Sequence, residues 1–278
     1  MKGKTNVLMV LLYILSNCAL MTQAQTVSGT IDGHGYVDLS LPSGLLWATC
    51  NVGATSVEEY GGYYAWGEME EKDNFSWQNY SFFNEYFIED PFHYWAVCKD
   101  LGENISGTSY DVAHVKWGGG WRLPTEEELW ELRCYSSSKW VEINGFTGRE
   151  YTGFNENRMF LPAAGDVTIG EISKGHHAYY AGSTEYKKYE YNPHADRNDC
   201  AGGIMFDSGG TSIVGIYKFV GASVRPVIDR SYVVSKIQGM EQNNSRIVCP
   251  TFDLQGRRIQ GEPRKGVYVC GGKKYVKK

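Results

Sequence analysis

The sequence predicts an α+β protein in which short strands and loops far outnumber helices. Three observations lead there. Short apolar and aromatic segments recur between clusters of Gly, Pro, Asp and Ser, which is the punctuation of strands and turns. A strong helix start signal with helical spacing behind it stands after Pro124. Aromatic residues make up 14% of the chain, Tyr alone counts 20, and charged residues are 21%, so a core can be buried and global disorder is excluded.

The first element is an export signal. Lys2 and Lys4 precede an apolar run from Val7 to Leu15, broken only by Tyr13, and Thr22 and Ala24 stand at the −3 and −1 positions of a cut. That is the pattern of a cleaved signal peptide over residues 1–24, and it predicts a secreted or cell-surface protein. The run is shorter than the ~20 residues a spanning helix needs, and no other stretch approaches that length, so no stable membrane span is expected. Cys18 follows Leu15-Ser16-Asn17, where Asn is too large for lipoprotein processing.

The body is expected over residues 25–228. Tyr36-Val37-Asp38-Leu39 alternates as a half-buried strand, Leu41-Pro42-Ser43-Gly44 turns, and residues 45–50 form a second strand. Gly61 to Gly67 is a third aromatic segment. Residues 68–110 show no period and read as a long surface excursion. Thr125-Glu126-Glu127-Glu128 is a capping box, three acids suit the positive end of a helix, and Leu129 and Leu132 follow at helical spacing up to about Tyr135. Residues 159–162 are the next strand. Residues 203–206 and 212–216 flank Asp207-Ser208-Gly209-Gly210-Thr211 as a hairpin, and 223–227 closes the body. Residues 229–245 are polar and predict a linker. Residues 246–278 predict a small β unit, too short to build a core alone.

Charge divides at the same place. Residues 25–245 carry 16 Lys+Arg against 30 Asp+Glu, or −14, while residues 246–278 carry 9 against 2, or +7. An acidic body argues against nucleic acid as its ligand, because phosphate binding needs a basic face. Six cysteines follow the signal: Cys50, Cys98, Cys134, Cys200, Cys249 and Cys270. They allow 15 pairings, and a body of this size also folds without staples, so disulfides and free thiols both stay open. No Cys-x-x-Cys pair supports a zinc ribbon or a redox site.

Two segments resemble known families. Residues 34–39 and 41–54, Tyr64-Ala65-Trp66-Gly67-Glu68, Asp111 to Trp117, Phe160 to Gly165 and Ser223-Val224-Arg225-Pro226-Val227 together resemble the Fibrobacter-type major paralogous domain family. The likeness spans roughly residues 33–228. Trp121-Arg122-Leu123-Pro124-Thr125-Glu126 resembles the helix start of the formylglycine-generating-enzyme superfamily. The resemblance implies a C-type-lectin-like fold: a twisted mixed or antiparallel sheet, one or two helices, and long loops that carry ligand contacts. At the other end, Phe252 to Arg258, Lys265 to Val269 and Gly272-Lys273-Lys274 resemble a type A sorting tail of the Bacteroidetes type IX secretion system. That resemblance implies the secretion machinery as a partner of the tail.

Catalysis is not expected. A copper-dependent formylglycine-type oxidase needs a late pair of cysteines, and Cys200 stands alone late in the body. There is no Gly-x-Ser-x-Gly elbow, and Ser136 with Lys139 lacks the companion motifs of Ser-x-x-Lys enzymes. No metal and no cofactor are expected: His176 and His177 are adjacent and point apart in a strand, and the 194–199 loop lacks a calcium-loop pattern. Binding remains. Tyr180, Tyr186, Tyr189 and Tyr191, with Asp196 and Asp199, crowd the segment 179–199 and are the expected ligand-binding residues, since Tyr offers a rigid face with a polar tip. The expected function is an exported, non-catalytic module that recognises a glycan or a cell-surface protein, with a structural part of a surface layer as the rival.

Overall fold

Val37 and Leu39 are fully buried while Tyr36 and Asp38, which alternate with them, are half exposed, and this alternation sets the first sheet. The computed structural model describes residues 25–90, 93–168, 174–186, 198–245, 251–259, 265–270 and 272–277. Residues 1–24, where a signal segment is expected, lie outside them. In the first sheet β1 (Gly29–Ile31), β2 (His34–Asp38), β3 (Leu46–Ala48) and β12 (Val227–Ile228) lie in that order, all antiparallel. The last strand of the body thus pairs with one of its first.

Two three-stranded sheets follow. One is β6 (Ser137–Ile143), β7 (Phe146–Thr152) and β8 (Arg158–Pro162). Its first hairpin turns on Asn144 and Gly145 at φ 51° and 84°, the left-handed pair that a two-residue turn of this hand requires. The other holds β9 (His177–Glu185), β10 (Cys200–Asp207) and β11 (Thr211–Tyr217) in the order β11-β10-β9. The expected hairpin over 207–211 is present. Phe206 faces Thr211, and Asp207 Oδ1 accepts from the N–H groups of Gly209 and Gly210 at 2.7 and 3.0 Å. Antiparallel sheets dominate and helices are few, as the α+β reading requires.

The helix after Pro124 forms as α2 (Glu126–Tyr135), behind the shorter α1 (Val112–Trp117). Thr125 Oγ1 accepts from Glu128 N–H at 3.2 Å, and Glu128 Oε2 accepts from Thr125 N–H at 2.8 Å. Glu128 also receives the Arg122 guanidinium at 2.6 Å. Leu129 and Leu132 enter a buried cluster with Trp47, Tyr151, Tyr180 and Phe206. Thr125→Ala is expected to cost about 1 kcal/mol in chemical denaturation, with the fold retained.

Three expectations need correction. Residues 68–110 are more than a surface excursion. Phe75, Tyr80 and Cys98 are buried there, and Phe83–Asp90 (β4) pairs with His93–Cys98 (β5) as a two-stranded arm. The polar segment 179–199, expected to bind ligand, begins within the strand β9. The linker expected over 229–245 is helical from Arg230 to Ser245 (α3), because it contains no proline and one glycine, and helix tolerates its polar residues.

The chain divides into two compact units, Met1–Arg230 and Ser231–Lys278. In the second, β13 (Thr251–Phe252), β14 (Arg258–Ile259), β15 (Gly266–Cys270) and β16 (Lys273–Lys277) form one antiparallel sheet in the order β14-β13-β15-β16. A small β unit was expected there. Among the described residues no helix is long and apolar enough to cross a membrane.

Candidate functional site

Among the described residues of the expected ligand segment, Tyr180 and Asp199 are buried and line no open concavity with Tyr186. Tyr180 is 1% exposed. Its hydroxyl accepts from Asn51 Nδ2 and donates to the Pro162 carbonyl, both at 3.0 Å, and its ring stacks on Phe206. Burial pushes its phenol up to about 12. It is a core residue, because strand alternation in β9 turns it inward. Asp199 is 2% exposed, and its carbonyl accepts the Lys218 N–H at 2.9 Å, so it too is interior. Tyr186 is half-buried and lies against β11: a Cβ placed on Gly215 would stand 2.5 Å from its ring. Tyr189, Tyr191 and Asp196 lie outside the described residues.

Three of the motifs that carried the family resemblance meet at one buried cation. Arg225, 1% exposed, donates from Nε to Asn51 Oδ1 at 2.8 Å, from Nη1 to the Ala48 carbonyl at 3.0 Å and from Nη2 to the Phe160 carbonyl at 3.1 Å. Burial lowers its affinity for the proton. The 48–54, 160–165 and 223–227 motifs are therefore joints of the fold. A second buried cation, Lys218, lies 2.6 Å from Glu185 and 4.3 Å from the Trp66 ring centroid. Asn198 pins the neighbouring chain by accepting from Cys98 N–H and donating to its carbonyl, at 2.9 and 2.8 Å. Burial raises the Cys98 thiol to about 12, so it stays protonated and unreactive at neutral pH.

An open pocket of about 310 Å³ lies elsewhere, at the end of the Tyr64-Ala65-Trp66-Gly67-Glu68 motif. Small-molecule sites begin at about that size. Gly67, at φ 82°, turns the chain where a Cβ would stand 2.7 Å from Leu101 and 3.1 Å from Phe82. The next residue, Glu68, is 6% exposed. Its Oε1 accepts from Ser81 N–H at 2.7 Å, and Lys72 pairs with both oxygens at 2.6 and 2.5 Å while also donating to the Asn79 carbonyl. This ion pair braces the wall. The aromatic side is Phe82 and Tyr110, edge to face at 5.6 Å.

Four of the lining residues carry polar side-chain groups with no hydrogen-bond partner among the described residues. The hydroxyls of Ser81, Ser109 and Tyr110 and the carboxylate of Glu70 make no hydrogen bond among the described residues. Composition and spacing concealed the site, because its parts come from residues 67–72, 81–82 and 109–110, and only Gly67 and Glu68 stood in a recognised motif.

Among the described residues no group of three or more His, Cys, Asp or Glu could hold a metal ion. His177 Nε2 lies 2.9 Å from Asp166 Oδ1, apart from any third ligand of that kind. Cys50, Cys98 and Cys134 are not in disulfides, and Cys249 lies outside the described residues. Comparison with protein-family models, with curated proteins and with solved structures yields no match to this chain.

Proposed function

We propose that the protein is an exported, non-catalytic binding module whose C-type-lectin-like body takes a sugar unit of an uncharged glycan in the Phe82–Tyr110 pocket. The observation that carries this is the pairing of an aromatic wall with four lining residues whose polar groups have no hydrogen-bond partner among the described residues, around one cavity of small-molecule size. A pyranose has apolar C–H faces and a rim of hydroxyls, and such a wall with such groups answers both. Glu68 supports a binding role over a catalytic one: its Oε1 accepts from Ser81 N–H and its carboxylate is paired with Lys72, which holds it in the charged form. The −14 charge of residues 25–245 disfavours acidic polysaccharides. Export rests on the basic and apolar pattern of residues 1–24, and outer-membrane delivery on the sorting-like tail.

A specific observation favours the rival, a component of a surface assembly. Trp130, Tyr135 and Phe154 are 50%, 41% and 68% exposed and form a chain of rings 6.2 and 6.4 Å apart. Contiguous exposed apolar surface of this kind suits protein contact.

Applying the purified chain to an array of neutral glycans separates the two readings. Saccharide binding is expected, and Tyr110→Ala is expected to weaken it by about 2 kcal/mol, with some loss of melting temperature because the ring also packs against the core cluster of Ile105 and Val112. Ser109→Ala should cost about 1 kcal/mol of binding. Self-association without saccharide binding, or saccharide binding indifferent to both substitutions, would refute the pocket.

A further inference from the structure

The arm β4–β5 springs directly from the pocket wall. Phe82, which lines the pocket, is the residue before β4, and Lys99, the residue after β5, donates its N–H to the Phe82 carbonyl at 2.7 Å. The register fixes which residues share a side. Phe83 faces Cys98, but Glu85 faces Val97, so β4 carries one extra residue and its alternation reverses there. Beyond the bulge Tyr86 faces Ala96 and Phe87 faces Trp95. Phe83 and Tyr86 therefore lie on one side, consistent with their ring centroids 4.9 Å apart. Phe82, Glu85, Phe87, Trp95 and Lys99 lie on the other.

Tyr86, at 38% on the first side, and Phe87 on the second are the exposed rings among the described residues of the arm. Ala96 and Cys98, on the first, are 2% and 3% exposed and face the interior. On the second, Glu85 and Lys99 are exposed and Phe87 is 48% exposed. Phe87 lies 4.5 Å from Trp95 at 27°, and Trp95 is 8% exposed. One face of the Phe87 ring is thus backed by a buried indole and held flat, while the ring stays half open to solvent. The bulge brings this ring to the side that carries Phe82. From Lys99 to Trp95 along β5 is four residues, about 13 Å. That span is longer than one sugar ring.

We propose that the ligand is a linear, uncharged oligosaccharide, with one unit in the pocket and a later unit stacked on the open face of Phe87. This rests on the sugar reading of the pocket and deepens it: the pocket supplies orientation, and the arm reads chain length. Charge agrees with it. Glu85 and Lys99 flank the path with opposite signs, and Glu70 at the pocket stands unneutralised, so a polyanion gains nothing along this route.

The test is calorimetric titration of the purified chain with neutral gluco-, manno- and N-acetylglucosamine oligosaccharides of one to six units, in β-1,4 and α-1,4 series. In one series affinity should rise at least tenfold between the single unit and four units. In Phe87→Ala the ratio of those two affinities should fall to near one, and Phe87→Trp should restore it. Because Phe87 is half exposed and ends no core cluster, an unchanged melting temperature certifies that the variant is folded. A gain with length that persists in Phe87→Ala overturns the proposal, as does single-unit binding with no gain at all. Absence of binding at every length overturns the sugar reading of the pocket itself.

Discussion

Asp111→Ala is expected to lower the unfolding free energy by about 4 kcal/mol, from the cost of stranding several backbone donors at once. The carboxylate is completely buried and caps α1. Its Oδ1 accepts from Ala113 and His114 N–H at 2.9 and 3.1 Å, and its Oδ2 from Gly107 and Leu123 N–H, both at 2.8 Å. One side chain thus satisfies the start of a helix, the loop before it and the segment that leads into Pro124. The N–H groups of Ala113 and Leu123 are buried, so water cannot replace the lost acceptor there. Asp111→Asn keeps one oxygen and turns an amide N–H₂ toward the other two donors, so it recovers only part of the loss. Denaturant titration of the two variants checks the order. A cost below about 1 kcal/mol for Asp111→Ala, the range of an ordinary surface cap, would show that the four bonds do not act as drawn.

Arg225→Met should be at least as damaging, with a loss of about 4 kcal/mol or more. Methionine fills much of the space but leaves Asn51 Oδ1 and the carbonyls of Ala48 and Phe160 without donors. Asn51 is held on its other side by Tyr60 and Tyr180, so it cannot rotate to a new partner without breaking those bonds. Arg225→Lys separates charge from geometry. A lysine keeps the cation, yet its compact ammonium cannot reach three acceptors laid out for a planar fork. Most of the loss should therefore persist in Arg225→Lys. Recovery to near wild-type stability in that variant would show that charge alone matters at this position.

Several elements were legible because their causes are local. The capping box at Thr125 involves four consecutive residues, and it appears with both reciprocal bonds in place. The hairpin over 207–211 is a run of turn formers whose first carboxylate binds the next N–H groups. The hairpin over Asn144-Gly145 carried an equally local signal in its dipeptide, and an expectation of strands only from residue 159 onward passed over it. The arm β4–β5 was less visible, because its bulge breaks the alternation by which a strand is read.

The candidate site illustrates the limit. Dense tyrosines pointed to 179–199, but density of a residue type does not say which side of a strand each ring faces. Tyr180 went to the core because β9 pairs with β10 in a register that turns it toward Phe206. Asp199 followed Lys218 inward by a backbone bond. The pocket brings together residues up to 43 positions apart, Gly67 and Tyr110, none of which forms a chemical signature with its sequence neighbours. By itself the amino-acid sequence determined what is local: an α+β body of short strands, one well-capped helix, an acidic body with a basic β unit behind it, and the motif residues. Only the tertiary structure decided that Arg225 is a joint, that Tyr180 is core, and that Phe82, Tyr110 and Glu68 share a cavity. The reason is physical: hydrogen bonding along the chain is settled between neighbours, whereas exposure depends on the long-range register that turns each residue toward core or water.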